Sequence, residues 1–190
     1  MPEGLESGLS IEEMAAFAAL HPGWTGAPRC REAIPLAEEN VWSPMELHTA
    51  HVWSLDAGLP RLVCNLPIFD RRQRFVATPD LFDVEAGLAI DYNGEYHAQL
   101  TTRVRDAGRE EAFRRHGIET LTVLGPHLAD PSSLVMRMHE ARRRARFEAE
   151  STRSWTIVPP PWWIQTHTVA LRRALSAADR ERALRYRRAA

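Results

Sequence analysis

The sequence predicts a mixed α/β domain ordered helix, three strands, helix, strand, helix, with a C-terminal helical appendage. Three observations predict it. Helix-start signals at Ser10 and Ser43 precede apolar residues at helical spacing, three short strand-like runs lie between Leu62 and Tyr92, and a polar helical segment separates these from an alternating run ending at Leu124. This order suggests three meandering strands and a crossover helix that returns a fourth strand to the same sheet. The expected division is 1–40 as an N-terminal helical extension, 41–150 as the α/β domain and 151–190 as a basic C-terminal tail with a helix.

Ser10 followed by Glu13 is the reciprocal capping pattern of a helix over 10–20, which stops before His21-Pro22-Gly23. Trp24 to Asn40 reads as a connector with a helical turn or two. Ser43-Pro44-Met45-Glu46 supplies an N-cap serine, a proline at the first helical position and a first-turn carboxylate. Met45, Val52, Trp53 and Leu55 then mark a helical face that ends at Gly58 and Pro60. The strand runs are Leu62–Phe69, Phe75–Phe82 and Gly87–Tyr92, parted by polar turns. Thr101 to His116 is helical in composition and ends at Gly117. The run from Ile118 to Leu124 is a β-branched strand closed by Gly125-Pro126. Pro131 opens a helix expected to reach Glu150. Beyond Ser154, Val158-Pro159-Pro160-Pro161-Trp162-Trp163 is an extended proline turn, and Val169 to Arg188 reads as one basic amphipathic helix.

With 190 residues, 44% of them apolar, the chain can close a core, and no apolar run is long enough to cross a membrane. The formal charge of −1 conceals a partition. Residues 1–136 carry 11 Arg against 20 acids, whereas 137–190 carry 13 Arg against 5 acids. All 24 basic residues are arginine, so chemistry that needs a lysine ammonium is excluded for this chain alone. Two cysteines, Cys30 and Cys64, make neither a disulfide framework nor a zinc cage, and an acidic N-terminus lacks the pattern of a secretory signal. A reduced cytoplasm is the expected location.

Three acids fall where these elements would bring them together. Glu46 lies in a first helical turn, Asp80 in Ala77-Thr78-Pro79-Asp80 and Asp91 in Ile90-Asp91-Tyr92-Asn93-Gly94. Strand alternation puts Asp91 and Asn93 on one face. Adjacent carboxylates repel, so a proton or a cation must sit between them, and a hard divalent cation suits oxygen ligands. His48 and His51, three apart on the same helix, have no evident third ligand.

The element order, Pro79-Asp80, Asp91-Tyr92-Asn93, Gly94-Glu95-Tyr96-His97, Arg105-Asp106 and Gly117-Ile118-Glu119-Thr120-Leu121 resemble the PD-(D/E)xK restriction-endonuclease superfamily over about residues 38–145. The branch is that of very-short-patch-repair endonuclease-like domains of actinobacterial type. The resemblance implies a nuclease acting on double-stranded DNA with Mg²⁺ or Mn²⁺. It implies that Asp80, Asp91 and Glu46 bind the metal and that Asn93 orients water. It also implies that His97 and Arg105 lie near the scissile phosphate, with Arg105 and Arg109 on the DNA side. Longer relatives place a winged-helix region ahead of this domain, for which the N-terminal 40 residues are too few. Two positions depart from the pattern: Asn93 stands where a lysine or an acid is usual, and Asp91 is one methylene shorter than the usual Glu. An amide bonds a water without taking its proton.

Other readings stay open beside this one. Glu46 equally suits a helix start, His97 suits a solvated loop, and ion pairs within the 101–116 helix account for most of its arginines. The Arg-rich stretches 142–146 and 172–188 suit a solvated surface, a phosphate contact or docking on the acidic body. The alternative function is a non-catalytic DNA-binding or regulatory domain of toxin–antitoxin-like type, and a third is a packing module with structural acids.

Overall fold

A computed structural model describes residues 8–93 and 100–189, with the side chains of 100–107 and 184–189 outside that description. The chain divides into two compact units, Met1–Asn40 together with Pro161–Ala190, and Val41–Pro160. By this division residues 151–160 go with the second unit, and 1–40 and 161–190 go together in the first.

In the first unit, α1 (Ile11–Leu20) starts with the full reciprocal cap between Ser10 and Glu13. The expected connector contains α2 (Ala27–Ala33) and a 3₁₀ turn, Ile34–Leu36. One carboxylate serves two helix starts: Glu39 accepts from Ile11 N–H at 2.8 Å and from Val169 N–H at 2.6 Å. Arg173 binds both Glu13 oxygens, at 2.6 and 2.9 Å, and holds its carboxyl down at about 2. The expected single C-terminal helix is two, later in the chain, split at Ala174–Ser176. Thr168 caps the first of them (Val169–Arg173), and Ser176 Oγ accepts from Asp179 N–H at the start of the second (Ala177–Ala189). The second cap competes with helix continuation, which apolar spacing alone does not register.

In the second unit, α3 (Pro44–His51) is capped by Ser43 and continues as a π-helical turn, Val52–Asp56. The first two expected strands each break in two. Leu62–Phe69 becomes β1 (Val63–Cys64) and β2 (Ile68–Asp70), and Phe75–Phe82 becomes β3 (Phe75–Ala77) and β4 (Leu81–Asp83). Asn65 takes a left-handed φ of 48°, and Pro67 and Pro79 lack the N–H that a continuous ladder needs. The inner halves join β5 (Leu88–Asn93) and β6 (Glu119–Leu124) in a sheet ordered β1-β4-β5-β6. Its pairs are antiparallel except β5 with β6, which are parallel and linked through α4 (Leu100–Arg115). The outer halves pair with β7 (Trp155–Thr156) in a second sheet, β3-β2-β7.

Strand alternation divides the core. Cys64, Leu81, Leu88, Ile90, Leu121 and Val123 pack with Val52 and Trp53 of the π turn and with Leu134, Met138 and Ala141. Phe82 and Ala89 point the other way, into a cluster with Phe113 of α4, Ile68, Ala77 and Trp155. Gly87 has φ +73°, and a Cβ there would lie 3.3 Å from the Trp155 ring, so this turn takes glycine for both backbone and space.

A short helix, α5 (Gly125–Leu128), precedes α6 (Pro131–Arg144), which stops six residues before the expected Glu150. Ala145 is extended and Phe147 has φ 51°, its N–H donating to Ala86 C=O at 3.2 Å, so a tertiary bond replaces the next helical turn. The arginines of this segment dock on acids of the same unit. Arg142 Nε binds the buried Asp83 at 2.8 Å and its other end meets Glu85, while Arg144 binds Glu119 at 2.7 Å. In the C-terminal segment, the two short helices are α7 (Val169–Arg173) and α8 (Ala177–Ala189).

Phe113 is fully buried and is the α4 residue in the second core cluster, so Phe113→Ala should cost about 3–5 kcal/mol in urea unfolding. The far-UV spectrum should stay native in buffer.

Candidate functional site

The break between β3 and β4 places Asp80 just before the ladder with β5. Leu81 pairs with Ile90, so the next position along brings Asp80 opposite Asp91. Side chains replace the missing ladder bonds there. Asp80 N–H donates to Asp91 Oδ1 at 3.1 Å, Tyr92 N–H donates to Asp80 Oδ2 at 2.7 Å, and Asp80 C=O accepts from Asn65 N–H at 2.9 Å.

Glu46 joins from α3. It is buried, and its Oε2 accepts from Trp42 N–H at 2.9 Å and from Asn65 Nδ2 at 2.8 Å. Its own N–H donates to Ser43 Oγ at 3.2 Å, so the helix-start role and a place beside the acids belong to the same residue. Among the described residues, Glu46 Oε1 and Asp80 Oδ1 accept no hydrogen bond.

Burial, the Asp91 charge and the Glu46 charge push the Asp80 carboxyl up to about 7, against the pull of Tyr92 N–H and Arg109. Near neutrality Asp80 is therefore about half protonated. The Arg109 guanidinium, from α4, stands 3.3 Å from Asp91 Oδ2. Among the described residues the site brings together three carboxyls and the Arg109 guanidinium.

The other sequence candidates distribute as follows. Asn93 ends β5, partly buried, two residues from Asp91 on the same strand face and in register with Leu124. Arg109, expected on the DNA side, stands beside Asp91. His97 lies outside the described residues; Arg105 is on α4 with its side chain outside them. Arg114 and Arg115 pair with Glu111 on their own helix. Among the described residues no group of three or more His, Cys, Asp or Glu is placed to hold a metal ion, His48 and His51 included. Among the described residues the side chains that the resemblance would make ligands offer carboxylate oxygens, the donor type a hard divalent cation takes. Such an ion would be held by Asp80 and Glu46 with Asp91 beside them.

Sequence reasoning missed Asn65, which touches two of the three acids. Its signal was an Asn directly after a strand and two residues before a proline, a position suited to left-handed backbone. No protein-family model, curated protein or solved structure matches the chain. Among the described residues no helix is long and apolar enough to cross a membrane. Both cysteines are free thiols, Cys30 exposed and Cys64 buried.

The raised Asp80 value fixes the sign of a pH effect. Its contribution to stability is full below the unfolded value of 3.8 and is lost as pH rises through about 7. Asp80→Asn carries no charge, so in metal-free buffer it should be more stable than wild type by about 2–4 kcal/mol above pH 7, after partial solvent screening. The difference should vanish toward pH 4, as read by urea unfolding at each pH.

Proposed function

We propose that the second unit is a restriction-endonuclease-like domain that hydrolyses DNA phosphodiester bonds with Mg²⁺ or Mn²⁺. The observation that carries this reading is the convergence of Glu46 of α3, Asp80 just before β4 and Asp91 of β5, with burial and the charges of the other two acids raising the Asp80 carboxyl to about 7. The sheet supports it, since antiparallel strands followed by a parallel strand across a helix is the order that the resemblance implies.

A divalent cation bound there would polarise the phosphoryl group and lower the pKa of the attacking water. The residues do the rest. Asp80 gives up its proton to reach full charge, which couples cation binding to pH near neutrality. Glu46 turns one oxygen to Trp42 and Asn65, and among the described residues its other oxygen has no protein donor. Arg109, beside Asp91, offers N–H donors to a phosphate oxygen. Asn93 orients a water, and His97 and Arg105 take the phosphate-side roles that the resemblance implies.

A second reading rests on Arg109. Its guanidinium already supplies positive charge to Asp91, which suits a non-catalytic DNA-binding or regulatory domain whose site needs no metal.

Plasmid nicking separates the two. Wild type should nick supercoiled DNA in Mn²⁺ and stop when the ion is chelated. Asp80→Ala and Asp91→Ala should lose about 100-fold or more, and Glu46→Ala about tenfold. Equal nicking by all four proteins would assign cleavage to a contaminant. DNA binding that weakens with salt, without cleavage, would favour the second reading.

A further inference from the structure

We propose that Asn65 is a positioning residue of the acidic site, acting on metal affinity through Glu46; this rests on the metal-binding reading above. Asn65 is only 4% exposed and lies on neither the helix that carries Glu46, nor the residues 78–80 that lead into β4, nor the strand that carries Asp91. Its side chain donates to Glu46 Oε2 at 2.8 Å, and its main-chain N–H donates to Asp80 C=O at 2.9 Å. One residue therefore ties the acid of α3 to the acid that precedes β4, two segments that share no ladder.

The residue type fits both tasks. At φ 48° the backbone favours Asn or Gly over other residues. Of those two, only Asn carries a donor. The donor is also uncharged, and that decides its effect. An arginine at this point would satisfy Glu46 but cancel the negative charge that attracts a cation, whereas a carboxylate would repel Glu46 and offer no N–H. With Trp42 N–H, the amide occupies Oε2, and among the described residues Oε1 is the oxygen without a protein donor. Outer-shell partners of this kind orient a ligand and typically change metal affinity about 10- to 100-fold when removed.

A turn residue with no further role predicts something different, so a double-mutant cycle on the full chain is decisive. Mn²⁺ binding is measured by calorimetry for wild type, Asn65→Gly, Glu46→Ala and the double variant, with urea unfolding as the check on fold. Asn65→Gly keeps the left-handed turn and removes the amide. It should weaken Mn²⁺ about tenfold in the wild-type background and less than about twofold once Glu46 is alanine. Equal losses in both backgrounds would overturn the proposal, leaving Asn65 a turn residue. If Asn65→Gly folds poorly, Asn65→Ser, too short to reach Glu46, carries the same cycle. Wild type that binds no Mn²⁺ would overturn the metal-binding reading itself, and with it this role for Asn65. In that case the losses of the variants are absent and not equal, so the two failures are told apart.

Discussion

The Asp80 carboxyl is held against Asp91 by hydrogen bonds that stand where a β-ladder would otherwise continue. Tyr92 N–H fixes Asp80, and Asp80 N–H fixes Asp91, so neither acid can withdraw without leaving a backbone donor unpaired. Burial first, then repulsion from Asp91 with Glu46 adding to it, raises the Asp80 carboxyl to about 7. The break in the strands, the left-handed Asn65 and the docking of α3 all serve this juxtaposition. Without the break, Asp80 would be an ordinary ladder residue with its N–H committed to a main-chain carbonyl.

The near-neutral total charge resolves into local balances. Arg142 covers Asp83 and Glu85, and Arg144 covers Glu119, so the arginines that follow the acidic body in sequence neutralise part of it within one unit. Arg173 does the same for Glu13 in the other unit. These pairs are intramolecular, and most involve a partly exposed partner, where an ion pair contributes little stability by itself. The docking reading of the basic stretches therefore describes these particular arginines. Against this background the Glu46, Asp80 and Asp91 group stands out, because among the described residues Arg109 pairs with Asp91 while the Asp80 carboxyl stays raised to about 7.

Local signals survived folding where the chemistry was local. Both serine caps form hydrogen bonds at the expected helix starts, since a cap requires only neighbours three residues apart. The β6 strand and α4 match their sequence patterns for the same reason. Misreadings fell where distant contacts decide. Strand character ran unbroken through Asn65 and Thr78 because β-propensity does not report which sheet a residue joins. The end of α6 depended on Ala86, far from it in sequence. Asn65 escaped notice because its partners lie 15 and 19 residues away.

By itself the sequence determined the mixed α/β class, the helix starts at Ser10 and Ser43, and the face shared by Asp91 and Asn93, because each follows from a local cap or from the period of a strand. Composition also settled that no lysine acts in this site. Tertiary structure decided the rest. It split two runs between two sheets, turned Arg109 toward Asp91, and set Asn65 between Glu46 and Asp80. Those outcomes depend on burial and charge brought together across the fold, and a shifted carboxyl exists only once its neighbours are in place.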